Sequence, residues 1–409
     1  MKRGVTVAGA GSKRGGPLPA RARKRPARWA LLGVAWASLA AAAFTRPPAE
    51  APVIVSRVEL VPVDVLVTVR GDGPLPPLSA DDFEVFENGE PRPLEYFAPG
   101  FPGDPAGGAA PPVPASPAPA AFGGPGRTFV VFIGRMGTVD PFDSLGDLAV
   151  FLRDRLGPDD RVALMAYNRM TPFTARIEDV LDVLGRYRRA FREIEAIMQV
   201  RTDDLLGIVE RDFAPDVQQR IDGIFEAAGT MRNRLPEGVA FPTSSALKRL
   251  SRAEQARGGR ALMDLQNLHR AVGILDRQPG AKHLLFFSAD GLFLKHPASD
   301  HQLALAANAA RVAVHTFQTG GMDSGYTRQG VDTATALGSI RRVSDLTGGL
   351  AFVHAPIAEG LRAVDRLTRS TFTLGFSPSG KARPGEYRSI RVRVKRPGLA
   401  LHYRRYYRG

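Results

Sequence analysis

Apolar and polar positions along the chain change their spacing several times, and each change marks an element. Residues 282–291 form an apolar run, Leu284-Leu285-Phe286-Phe287, closed by Asp290-Gly291. A run of this length predicts a strand buried on both faces. Residues 264–275 before it and 303–310 after it carry apolar positions at helical spacing, and residues 312–317 form a second apolar run. Helix, strand, helix, strand is the order of an open, mostly parallel sheet, in which ligands sit beyond the carboxyl ends of the strands. Asp290 and Gly291 fall at such an end, so a binding site is expected there.

The same spacing predicts buried strands at 128–133 and 161–167, a short edge strand at 170–175, and an amphipathic helix at 144–156. Ser144 followed by Asp147 reads as a variant capping box opening that helix. Ile177, Val180, Leu181 and Leu184 continue in helical spacing. Further helices are expected at 335–346 and 357–367 and a strand at 350–353, with Gly348-Gly349 as a stop.

Period-two alternation marks both ends of the chain. Val61, Val63, Val65, Val67 and Val69 share one face of a strand, and Asn88-Gly89 between extended segments predicts a hairpin. Residues 371–378, 387–395 and 399–407 alternate again. The fold class expected is α/β: a doubly wound, mostly parallel sheet with a flanking antiparallel β unit built from both termini. The segments are 1–46 (basic region and export signal or anchor), 53–98 (β), 99–126 (a Pro/Ala/Gly-rich linker too apolar-poor to order itself), 127–370 (α/β) and 371–409 (β). Residues 188–259, rich in Arg, Glu and Asp, read as a helical insertion with Phe191, Ile194, Ile197 and Met198 on one face.

Charge changes the picture only at the amino terminus. The chain of 409 residues carries a formal charge of +14. Lys2, Arg3, Lys13, Arg14, Arg21, Arg23, Lys24, Arg25 and Arg28 precede every acidic residue, and without these nine the remainder is +5. That excess is ordinary, so no nucleic-acid partner is expected. The nine cations stand before the uncharged stretch 29–44, which reads as an export signal or a membrane tether and places the remainder outside the cytoplasm. With no cysteine, disulfides and a lipidated Cys are excluded.

Taken together, Asp82-Phe83-Glu84-Val85-Phe86-Glu87-Asn88-Gly89, residues 127–133, Gly157-Pro158-Asp159-Asp160 within 155–163, Ser288 to Gly291, residues 308–314, Thr347-Gly348-Gly349 and residues 391–398 resemble the von Willebrand factor A-like proteins abundant in acidobacteria. The resemblance implies an A domain flanked by β segments, in an exported protein that binds other proteins and performs no catalysis. Metal-binding members hold a divalent ion through an Asp-x-Ser-x-Ser motif, a Thr from a later loop and an Asp before Gly. Here Gly134-Arg135-Met136-Gly137-Thr138 stands where the first motif is expected, and Gly258-Gly259-Arg260 where the Thr is expected. Asp290 alone keeps its type, so the resemblance implies a degenerate site in which Arg260 or Arg135 pairs with Asp290 in place of an ion. Gly134, Arg135, Thr138, Arg260, Asp290 and Gly291 are the candidate binding-loop residues.

Two other readings compete with that one. The first is a metal-dependent adhesin holding Mg²⁺, a hard cation suited to oxygen ligands, through Asp290 with Thr138 or Asp140. The second is an envelope hydrolase, for which no convergent nucleophile and base appear. Asp143 and Asp147 suit a helix amino terminus better than a metal. His296, Asp300 and His301 lack zinc spacing and suit a loop and a cap at Ser299 or Asp300. The tail 402–408 mixes cations and aromatics, as a defended edge strand does.

Overall fold

The computed structural model describes residues 60–70, 74–99, 126–134, 142–200, 215–225, 252–288, 297–319, 330–353, 355–380, 383 and 385–409. All lie in one unit spanning Arg57–Gly409. The export stretch 29–44, most of the linker 99–126, and residues 201–214 and 226–251 of the expected insertion lie outside the described residues.

Six strands form the central sheet: β5 (Arg127–Ile133), β6 (Arg161–Ala166), β7 (Arg169–Met170), β8 (Ala281–Ser288), β9 (Val312–Gln318) and β10 (Ala351–Phe352), in the order β10-β9-β8-β5-β6-β7. All pairs are parallel except β6 with the edge strand β7. Every residue of β5 and β9 is buried, as an unbroken apolar run requires when helices cover both faces.

On one face pack α1 (Phe142–Arg155), α2 (Ile177–Val200), α3 (Pro215–Phe225) and α7 (Ile357–Arg369), around Phe129, Val131, Leu285 and Phe287. The other face carries α4 (Arg252–Asp276), α5 (Pro297–Ala309) and α6 (Gly330–Thr347), around Val130, Phe132, Leu284 and Phe286. Alternate residues of each strand thus supply two separate cores. The expected edges of a helical insertion, 188 and 259, fall inside α2 and α4, which run through them unbroken. Phe191 and Ile194 join the core of the sheet.

Two antiparallel sheets complete the fold. β1 (Val61–Val69) lies between β11 (Thr371–Phe376) and β13 (Leu399–Tyr403), with β4 (Tyr96–Pro99) beyond β11. β12 (Tyr387–Val394) lies between β2 (Phe83–Glu87) and β14 (Tyr406–Arg408), with β3 (Glu90–Arg92) beyond β2. The two sheets share a core of Val63, Val65, Val85, Leu374, Phe376 and Ile390. Asn88 and Gly89 turn between β2 and β3 with φ of 49° and 91°, the conformation that favours Asn-Gly in a two-residue hairpin.

One local expectation is corrected. Helix α1 begins at Phe142, so Ser144 lies within its first turn and is not the cap. Asp147 caps a different helix: its Oδ2 accepts the Ala358 N–H at 3.1 Å, at the start of α7. The residue preceding α7 is Pro356, whose side chain offers no acceptor, so a carboxylate from α1 takes that role.

Candidate functional site

In the order β10-β9-β8-β5-β6-β7, β5 and β8 are neighbours, yet the helices that follow them, α1 and α5, cover opposite faces. In open sheets of this kind, the place where neighbouring strands send their helices to opposite faces is the position at which ligands dock, here the carboxyl ends of β5 and β8. Gly134 closes β5 there, and its N–H donates to the Phe287 carbonyl at 2.8 Å. Ser288 ends β8, its carbonyl accepting the Thr319 N–H at 2.9 Å and its side chain buried.

There is no room for a side chain at position 134. A Cβ built on Gly134 would stand 2.7 Å from Asp264 Oδ2 and 2.7 Å from Phe286 Cε2. The carboxylate nearest this position comes from α4. Asp264 is buried, and three residues on, Asn267 donates from Nδ2 to Asn168 Oδ1 at 2.7 Å while its Oδ1 accepts from Arg270 Nη1 at 2.8 Å. The spacing of three puts Asp264 and Asn267 on one face of α4.

Asn168 belongs to the turn between β6 and β7, where Tyr167 and Asn168 both take positive φ, 47° and 62°. For a bulky residue such as Tyr this is a strained conformation. It is held by the buried Tyr167 ring, 5.5 Å from that of Tyr187, and by its hydroxyl, which donates to Glu195 Oε1 at 3.2 Å. Arg169 Nε donates to Asp222 Oδ1 at 2.7 Å and so ties α3 to the edge strand. Gln318, opposite Ser288 in the β8–β9 register, is buried with its Oε1 lacking a partner among the described residues.

The candidate loops lie mostly outside the described residues: Arg135, Thr138, Asp290 and Gly291, the Arg260 side chain, and also Asp140 and His296. Of the six, Gly134 is placed, at the carboxyl end of β5. The sequence reading missed Asp264, Asn267, Asn168 and Gln318. The signal was present in α4, where Asp264 and Asn267 interrupt an apolar face at a spacing of three. Among the described residues no three His, Cys, Asp or Glu side chains converge as a metal site would require. Asp300 is fully buried and accepts from Arg342 Nη1 at 2.6 Å, so its role is an ion pair between α5 and α6.

The opposite end of the strands is locked by charge. Arg127, at the start of β5, donates to both oxygens of Asp160, to Asp365 Oδ1 at 3.0 Å and to Thr368 Oγ1 at 2.8 Å. Burial alone would weaken the Arg127 charge, but the two carboxylates outweigh it and hold its pKa above the usual value. Asp160 belongs to the Gly157-Pro158-Asp159-Asp160 turn, whose function is thereby structural.

The sequence matches no protein-family model and no curated protein. Among solved structures it is similar to the human COPII-coat protein Sec24c, at 11% identity and a TM-score of 0.31, over 69% of this chain and 44% of that one. It is also similar to the TFIIH p34 N-terminal domain, at 11% identity and a TM-score of 0.27, over 59% of this chain and 96% of that one. Similarities at this level bear on neither partner nor activity. Among the described residues no helix is long and apolar enough to cross a membrane.

Proposed function

We propose that the chain is a von Willebrand factor A-like interaction module of the bacterial cell envelope, which binds another protein at the carboxyl ends of β5 and β8 and catalyses no reaction. The observation that supports the reading is that α1 and α5, which follow the neighbouring strands β5 and β8, cover opposite faces, the arrangement at which open sheets take their ligands. Behind this position Asp264 and Asn267 are buried, and Asn267 is bonded to Asn168 and Arg270, so they back the site while contact with a partner falls to the loops. The basic stretch before residues 29–44 supports export, with those residues as a signal or a tether. Thr138 and Asp290 stand in 135–140 and 289–296, the segments that follow β5 and β8 directly in the chain, and are the contacts proposed for the partner.

A photo-crosslinking residue placed at Thr138 or at Asp290 in the full chain tests this in native envelopes. The expected result is one protein captured from both positions and not from a probe at Val150, which is exposed on α1. Equal capture from all three positions would overturn the proposal, as would turnover in esterase, protease or phosphatase screens abolished by substitutions at the docking position.

The Asp264 carboxylate beside Gly134 gives the metal-dependent reading one specific support. Its check is calorimetric titration with Mg²⁺: binding lost in both Asp264→Asn and Asp290→Ala would favour a cation there, and an absence of heat would dispose of it. The described residues supply a single carboxylate to this position, which is fewer than a protein-held divalent ion ordinarily takes.

A further inference from the structure

At the end of the sheet remote from the docking position, the amino-terminal ends of β8 and β9 face β1 across a cleft of about 30 Å³, lined by Asp64, Lys282, His283, Arg311, Thr371 and Arg404 among others. We infer that this cleft holds one small monovalent anion of halide size, bound between the parallel sheet and the antiparallel sheet of β1.

Charge is the first support. Of the lining side chains, Lys282, Arg311 and Arg404 are cations and Asp64 is the one carboxylate. Asp64 is already engaged: Arg311 donates to both its oxygens, at 2.8 and 2.7 Å from Nη2, and Thr373 Oγ1 donates at 3.0 Å. No described carboxylate lies within 4.0 Å of Lys282 or Arg404, leaving the lining with two positive charges in excess. Buried charges are ordinarily paired, because desolvation of an unpaired one is costly.

Donors without acceptors are the second support. Arg404 gives Nη1 to the Asn308 carbonyl at 2.7 Å and Nη2 to the Pro62 carbonyl, and its buried Nε has no partner. The second such donor, on His283, follows from a chain of hydrogen bonds. The Leu350 N–H donates to His315 Nδ1 at 3.2 Å, so the proton of neutral His315 is on Nε2. That nitrogen lies 3.3 Å from His283 Nδ1 and donates to it, which puts the His283 proton on Nε2, where it has no partner. Two buried N–H donors and two excess cations thus belong to residues lining one cleft.

Size and backbone agree. A water needs roughly 10–15 Å³ of such space, so about 30 Å³ admits one halide or a water or two and excludes a phosphate. Arg311 reaches Asp64 from a backbone with φ of 56°, an uncommon conformation for a residue other than Gly, Asn or Asp. Burial, with Arg311 adding to it, lowers the Lys282 pKa against the opposing pull of Asp276 and Asp64, and burial pulls that of Arg404 down to about 10 although Asp64 opposes it.

The test is urea unfolding of the full chain from about 5 to about 500 mM chloride, with sodium and ionic strength held constant by methanesulfonate, an anion too large for the cleft. Release of one anion on unfolding predicts that each tenfold rise in chloride above the dissociation constant lowers the unfolding constant about tenfold. Lys282→Met should flatten that dependence while leaving far-ultraviolet circular dichroism unchanged, and Arg404→Met should abolish it. Bromide soaked into crystals should give one anomalous peak in the cleft, which holds the proposal to account even if the Arg404 variant does not fold. A chloride-independent unfolding constant, an unchanged dependence in Lys282→Met, or a bromide-free cleft holding water alone would each overturn the inference.

Discussion

Acidification should unfold this protein earlier than its carboxylates alone would dictate, because histidines are buried in their neutral form. His283 and His315 are buried side by side, His283 also stacking on Phe129, and His269 is buried in α4. Burial pushes the pKa of His283 down to about 3 and that of His269 to about 4, and drives His315 well below its usual value. An unfolded histidine titrates near 6.5, so below that pH the unfolded chain binds more protons than the folded one and stability falls as pH falls. The loss begins at about 6.5 and continues down to each folded pKa. Going from about pH 7.5 to about pH 5.5, each such histidine removes about 1.4 kcal/mol, and the three together remove about 4 kcal/mol. His402, lowered chiefly by burial, acts in the same direction. Against a total of roughly 5–15 kcal/mol, this is a large share. Urea unfolding at the two pH values measures it. His283→Phe keeps the stack on Phe129, 5.2 Å away, and should reduce the pH sensitivity by about 1.4 kcal/mol while costing about 1–3 kcal/mol at the higher pH, since His315 Nε2 loses its acceptor. A pH dependence below about 1 kcal/mol, or one unchanged in the variant, would refute the reasoning.

Three substitutions probe other joints of the structure. Glu87 is fully buried and accepts from Arg388 Nη1 at 3.0 Å, Arg92 Nε at 2.9 Å, the Ser379 N–H at 2.8 Å and the Tyr407 hydroxyl. These bonds outweigh burial and lower its pKa to about 2, so Glu87→Gln, which leaves Arg388 buried without its main counter-charge, should cost about 3 kcal/mol at neutral pH by urea unfolding. Asp147→Ala removes the acceptor at the start of α7 and should cost about 1 kcal/mol, with faster amide exchange at Ala358 as the local sign. Gly134→Ala forces a methyl against Phe286 and Asp264 and should cost about 1–3 kcal/mol, measured by thermal or urea unfolding.

The sheet was legible because burial on both faces writes itself as unbroken apolar runs: residues 128–133, 282–288 and 312–317 need no partner information to be read as strands. The antiparallel strands were legible for the complementary reason, since Val61 to Val69 and Tyr387 to Val394 bury alternate residues. Helix ends were less so. Ser144 carries the local signature of a cap, but α1 starts two residues earlier, and the capping done by Asp147 links residues 211 apart in sequence, which no local pattern encodes. The buried polar residues behind the carboxyl end of β5 escaped for a related reason. Asp264 and Asn267 were read within an apolar helical spacing, and only the fold places one beside Gly134 and the other against Asn168. The histidine pair likewise depends on the β8–β9 register, in which positions 283 and 315 come close although 32 residues apart.

The most direct measurement of the central claim is hydrogen–deuterium exchange of the full chain with and without the protein captured at Thr138 and Asp290. The account predicts added protection in peptides covering 133–140, 264–268 and 287–291, with the Arg127–Asp160 end of the sheet and the two antiparallel sheets unchanged. Protection confined to that end or to the antiparallel sheets would contradict it.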